Sequence, residues 1–170
     1  MTAQQIIDFF KMKPLQPEGG YYVETYRAGD KVAAELLGQR YRGRRSLSSA
    51  ILYLLTPDTF SAMHRLPSDE VFHFYLGDAV TMLQLHPDGQ SEVIILGHDI
   101  FAGQRIQVTV LRDTWQGCML NEGGKFALMG TTVTPGFDYD DFELGGKEQL
   151  QRQYPNEHEL IGKLTAQDRC

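Results

Sequence analysis

The sequence predicts an all-β fold, a sandwich or barrel of short strands, with one short helix before it and short helices after it. Three observations predict it. Runs rich in β-branched and aromatic residues recur roughly every ten residues from Tyr21 to Val133. The gaps between these runs hold turn residues, Pro87-Asp88-Gly89 most clearly. No long helical period interrupts the series, which excludes a βαβ arrangement.

Thr2 to Met12 reads as a helix, with Thr2 as its cap, Gln5 completing a capping box, and Ile6, Ile7, Phe9 and Phe10 as its apolar face. Pro14, Pro17 and Gly19-Gly20 end it and turn the chain. Strands are then expected over Tyr21 to Tyr26 and over Arg45 to Thr56, the latter with Leu47, Ser49, Ile51, Tyr53 and Leu55 on one face. Phe60 to Leu66 and Glu70 to Leu76 follow around Pro67-Ser68-Asp69. Ala79 to Leu85 and Glu92 to Leu96 form a hairpin about the Pro-Asp-Gly turn. Gln104 to Leu111, Gln116 to Leu120 and Phe126 to Val133 complete the β section. Beyond Pro135-Gly136, Lys147 to Tyr154 and Glu157 to Leu164 read as short helices.

A chain of 170 residues suits a single domain over 1–170, with the strands at about 20–135. Two cysteines are too few for a disulfide framework, so Cys118 and Cys170 are expected as free thiols in a reducing compartment. Met1 to Met12 carries no basic leader, and no apolar run reaches membrane-spanning length; the expected location is cytoplasmic, with no membrane partner. A net charge of −6 argues against a nucleic-acid partner. Arg40, Arg42, Arg44 and Arg45 nevertheless cluster around Tyr41. They read either as a solvated loop leading into a strand or as a source of one or two arginines, Arg45 foremost, for an anionic ligand or a partner's acidic residues.

Of five histidines, His86, His98 and His158 sit in turn, loop and terminal-helix text and are expected at the surface. His64 and His73 lie in strand text near Glu70. Alternation puts Glu70, Phe72 and Phe74 on one strand face and Val71, His73 and Tyr75 on the other. If His64 and Glu70 both face inward, an imidazole and a carboxylate meet in an apolar interior, where they form an acid/base pair, a partial metal site or a plain buried ion pair.

The stretch Met63-His64-Arg65-Leu66-Pro67-Ser68-Asp69-Glu70 to Gly77 is similar to the first motif of the cupin superfamily, with His64 at the first histidine position, Glu70 at the glutamate and Gly77 at the glycine. Leu66 stands where that motif has its second histidine. Leu111-Arg112-Asp113-Thr114-Trp115-Gln116 resembles the second motif, with Gln116 in place of the metal-binding histidine. Together with Glu18-Gly19-Gly20-Tyr21, Ser68-Asp69-Glu70 and Val133-Thr134-Pro135-Gly136-Phe137, the chain most resembles one small cupin family, domain of unknown function 985.

The resemblance implies a double-stranded β-helix, that is, a jelly-roll barrel with an internal pocket, and a homodimer paired along exposed edges such as Tyr21 to Tyr26. A typical cupin metal centre has three imidazoles and one carboxylate. Leu66 and Gln116 remove two of the imidazoles, so neither a metal nor another cofactor is expected. The function expected is binding of a small polar molecule in the barrel, with a carbohydrate or sugar nucleotide as the candidate class. Phe72, Phe74, Trp115, Met63, Gln116 and Arg45 are the candidate ligand-binding residues. The alternative is a metal-free epimerase or isomerase similar to the sugar-nucleotide epimerases, with His64 and Glu70 as the base pair and Tyr53 or Tyr75 as the acid. A metal-dependent oxygenase or isomerase ranks behind both.

Overall fold

The chain is described here by a computed structural model covering residues 1–165; Cys170, expected as a free thiol, lies outside them. In chain order its elements are α1 (Ala3–Phe10), β1 (Lys13–Pro14), β2 (Tyr21–Arg27), β3 (Lys31–Val32), α2 (Ala34–Leu37), β4 (Arg45–Ser46), β5 (Ser49–Leu55), β6 (Phe60–Arg65), β7 (Asp69–Gly77) and β8 (Val80–Leu85). They continue with β9 (Ser91–Leu96), β10 (Gln107–Val110), β11 (Trp115–Leu120), β12 (Ala127–Thr134), β13 (Glu143–Leu144), α3 (Lys147–Gln153) and α4 (His158–Leu164).

Two antiparallel sheets face one another. The first runs β1-β2-β5-β12-β7-β10 and the second β13-β6-β11-β8-β9; β3 and β4 form a separate ribbon. Most neighbours within a sheet are distant in sequence, because the chain crosses repeatedly between the sheets. That is the jelly-roll pattern the strand rhythm and motifs predict. The two sheets stay separate and do not join into one hydrogen-bonded cylinder.

Alternation along the strands sends one set of side chains between the sheets and the other outward. Tyr53, Leu55, Phe72, Phe74, Met82 and Met129 are among those that fill one end of the interior. The outer face of the first sheet is covered by α1, whose Ile6 packs with Met12, Leu54 and Leu128. Helix α1 starts as predicted, with the reciprocal Thr2–Gln5 capping box formed, and stops at Lys11 in a left-handed conformation. The outer face of the second sheet is covered by α3 and α4. Leu150, Ile161 and Leu164 meet Met63, Leu83, Leu85 and Trp115 there. Each such side chain contributes about 1.5–3 kcal/mol by leaving water.

The predicted strand from Arg45 to Thr56 is in fact two. Arg45–Ser46 pairs with β3, and a break at Leu47-Ser48 precedes β5. The Leu47 N–H is taken by the carbonyl of Asp30, and its side chain faces out instead of sharing the face of Ser49 and Ile51. Among the described residues no helix is long and apolar enough to cross a membrane.

Candidate functional site

The site begins with an irregularity in β6. Gln116 of β11 pairs with His64 and Cys118 with Ser61, so Ala62 and Met63 together oppose the single residue Gly117. This bulge resets the alternation, and both Ser61 and His64 turn inward while Met63 turns out. Gly117 is required by it. A Cβ at that position would lie 2.8 Å from the Met63 sulfur and 2.9 Å from the Ser61 carbonyl oxygen.

Across the second sheet the inward residues Gln84, Gln116 and His64 form one polar row on β8, β11 and β6. Glu70 of β7 reaches them from the opposite sheet. All four are buried. The ring of His64 lies 2.7 Å from the Ala62 carbonyl through Nδ1. A carbonyl only accepts, so Nδ1 carries the proton and Nε2 offers its lone pair. Gln116 Nε2 donates both to that lone pair, at 3.3 Å, and to Glu70 Oε2, at 2.5 Å. Phe142 stacks on the His64 ring with centroids 5.1 Å apart. Burial holds the Glu70 carboxyl above the usual carboxylate range, against the opposing pull of His64 and hydrogen bonds from Thr131 and Gln116. Gln116 Oε1, on a residue only 2% exposed, has no donor among the described residues.

Glu18 joins this buried group to open space. It is brought in by the turn Glu18-Gly19-Gly20, where Gly19 has φ +109° and Gly20 φ +70°. A Cβ on Gly20 would sit 2.7 Å from the Tyr53 hydroxyl oxygen. Glu18 Oε1 accepts from Ser61 Oγ at 2.7 Å, and Oε2 lies 3.9 Å from His64 Nε2. Glu18 and Thr131 also line a cavity of about 240 Å³ on the inner face of the first sheet. Tyr22, Glu24, Arg27, Ser49 and Ile51 form one wall, and Phe137, Asp138 and Tyr139 close over it. A second bulge, in β2 at Thr25, turns both Glu24 and Arg27 inward, where they pair at 2.6 Å. Arg27 also donates to the Phe137 carbonyl at 2.9 Å and so ties the roof to the wall.

The predicted site residues divide in two. His64, Glu70 and Gln116 converge, but Gln116 stands between the other two, and His64 and Glu70 make no direct ion pair. Tyr53 lies close by, with its hydroxyl donated to the Gly19 carbonyl at 2.9 Å. Burial first, and then the Glu18 charge, push that hydroxyl well above the ordinary tyrosine range.

The other expected residues lie elsewhere. Tyr75 faces out from the first sheet, 44% exposed, because it has the opposite parity to Glu70. Trp115 and Met63 are on the outer face of the second sheet beneath α3 and α4, and the Trp115 ring is covered by Arg65 at 4.4 Å. Phe72 and Phe74 face inward in the apolar core but do not line the cavity. Arg45 is not available to a ligand: its guanidinium makes two bonds to Asp141, at 2.6 and 2.7 Å, in a pair almost wholly buried.

The residues that line the cavity were largely missed. In the sequence Glu18 stands out only as part of a motif and Tyr22 and Glu24 only as strand residues, while Arg27 lies just past the predicted strand. Their inward turn depends on bulges and a glycine turn that a period of two does not encode. Tyr139 and Phe137 lie past the last long strand, in a segment held down by Arg45 and Asp141.

The donor set does not fit the metal centre of a typical cupin. The one imidazole nitrogen available already accepts from an amide, and Gln116 presents N–H to Glu70 where a metal needs lone pairs. Among the described residues no three of His, Cys, Asp and Glu converge to hold an ion.

A protein of Shewanella oneidensis solved by X-ray crystallography shares 33% identity, with 97% of this chain and 98% of that one covered and a TM-score of 0.85. A hypothetical protein from Leishmania major shares 30% identity, over 96% of this chain and 98% of that one, also at a TM-score of 0.85. An uncharacterized protein of Saccharomyces cerevisiae is 28% identical over 159 residues, 88% of this chain and 79% of its own. None of the three descriptions assigns an activity. The profile of the family described as Cupin superfamily (DUF985) matches residues 4–145. On a match of that extent, and with the jelly-roll fold in place, the chain belongs to that family of cupins.

Proposed function

We propose that this cupin binds a small polar molecule in the cavity between the inner face of β2, β5 and β12 and the roof formed by Phe137, Asp138 and Tyr139. One observation carries the reading: a cavity with three aromatic rings, hydroxyls and carboxylates in its walls meets, through Glu18 and Thr131, a buried His64–Gln116–Glu70 group. Apolar walls with a few fixed polar groups are the usual composition of a ligand site. At about 240 Å³ the cavity is smaller than the roughly 300–1,000 Å³ that drug-sized ligands occupy. A ligand the size of a single sugar ring fits that scale. Sugar rings also present apolar faces to aromatic side chains and hydroxyls to carboxylates.

A second reading is metal-free epimerisation or isomerisation, similar to that of the sugar-nucleotide epimerases. What favours it is the His64 ring, oriented by the Ala62 carbonyl at Nδ1 and with Glu18 3.9 Å from Nε2; the Gln116 amide that donates to Nε2 counts against it. In that reading His64 is the base and Tyr53 the acid; the high pKa of Tyr53 and its bond to Gly19 count against it in that role. A cytoplasmic location and a homodimer complete the proposal. The dimer is supported by the outer edge of β2, which β1 pairs only at Tyr21 and Tyr22.

Native mass spectrometry of protein purified without added metal tests this. The expected species is a dimer carrying a small-molecule mass; a stoichiometric transition metal would overturn the reading of Gln116. His64→Ala separates the two readings. A binder should lose at most about tenfold in affinity, near 1.4 kcal/mol, whereas an enzyme should lose turnover on the identified molecule.

A further inference from the structure

The charges that line the cavity do not balance. Glu18, Glu24 and Asp138 contribute three carboxylates and Arg27 one guanidinium, which leaves two negative charges in excess. Arg27 is paired with Glu24 and lies near enough to Asp138 to feel its charge as well, one guanidinium against two carboxylates. Arg45, near enough to Asp138 to feel its charge, is committed to Asp141. Glu18 receives one bond from a neutral hydroxyl, that of Ser61, and its other oxygen lies 3.9 Å from His64 Nε2. Among the described residues the Asp138 carboxylate accepts only the backbone N–H of Asp140. Acceptors exceed donors in the buried group behind Glu18 too, where Gln116 Oε1 is unpartnered.

The aromatic walls point the same way. Tyr22 and Tyr139 both line the cavity, and Phe137 meets Tyr139 edge to face with centroids 5.1 Å apart. Ring faces attract cations, most strongly where water is excluded. Aromatic rings and unpaired carboxylates around one small cavity make a site complementary to positive charge carried on a compact, partly apolar body.

We propose that the ligand is a small organic cation, an amine or quaternary ammonium whose charged nitrogen sits between Glu18 and Asp138 with its carbon skeleton against Tyr22, Phe137 and Tyr139. This rests on the cavity being the binding site. It excludes phosphate esters, for which the site has no free guanidinium, and makes an amino sugar a better candidate than a sugar nucleotide.

Saturation-transfer NMR titrations of the full chain with choline, glucosamine, glucose and glucose 6-phosphate, at one ionic strength, test it. Choline and glucosamine should bind at least tenfold more tightly than glucose, and glucose 6-phosphate should give no transfer. Glu18→Gln keeps the acceptor for Ser61, and Asp138→Asn keeps the acceptor for Asp140, so both should fold. Each should weaken the two cations at least fivefold, and by more than it weakens glucose. If glucose or its phosphate binds as tightly as the cations, the cavity is a binding site and the charge inference is wrong. If none of the four binds the wild type, the binding reading itself falls.

Discussion

Glu70 enters an interior where it has a hydrogen-bond donor in Gln116 but no counter-ion in contact. Burial penalises its charged form most, so its folded pKa is raised above the ordinary 4.5. A raised carboxyl pKa means that the folded chain holds a proton the unfolded chain has given up. Its stabilising contribution is present in full below pH 4.5 and is lost as pH rises through the folded value. Glu70→Gln removes this dependence while keeping an oxygen for Gln116 to donate to. At pH 7.5 the variant should melt above the wild type. The two should converge near pH 4. A variant less stable than the wild type at pH 7.5 would mean that the ionised carboxylate is wanted where it is. In the sequence, parity along β7 separates Glu70 from His73 and Tyr75 but leaves open which set faces inward. Nor does the sequence reveal that Gln116, read as a lost metal ligand, bridges His64 and Glu70 as a donor.

At the scale of elements, the two bulges decide what faces the cavity. Strict alternation would set Ser61 with Met63 and Arg65, and Glu24 with Tyr26. The extra residue in β6 instead brings Ser61 and His64 to one face, and the one in β2 brings Glu24 and Arg27 together. Gly117→Ala tests the first. The new methyl group would meet the Ser61 carbonyl, which is backbone and cannot swing away, and the cost should be about 1–3 kcal/mol of stability in urea unfolding. An unchanged midpoint would show that β6 relaxes without loss. Strand existence and order were legible because apolar runs and turn residues mark them. Bulges were not, since each depends on contacts across the sheet that leave no local signature. The short strands β1, β3 and β13 were illegible for a similar reason: two-residue ladders take their stability from the partner strand.

For the whole molecule, the cavity exists because a segment beyond the last long strand folds back. The turn at Tyr139 to Asp141 is held by the buried Arg45–Asp141 pair, whose members are 96 residues apart, and by Arg27 on the Phe137 carbonyl. No reading of local pattern joins Arg45 to Asp141, which is why Arg45 was expected at a ligand and is found anchoring the roof. Trp115 and Met63 were misplaced at the same scale, because α3 and α4 give the second sheet an apolar outer face that a strand pattern cannot tell from an inner one. The central claim, a ligand held between Glu18 and Tyr139, is tested most directly by native mass spectrometry of Ile51→Trp beside the wild type. Ile51 lines the cavity, and the larger side chain should fill it without disturbing the buried polar row. The expected result is a small-molecule mass on the wild type that is absent from a folded Ile51→Trp chain. The same mass on both, or on neither, would contradict it.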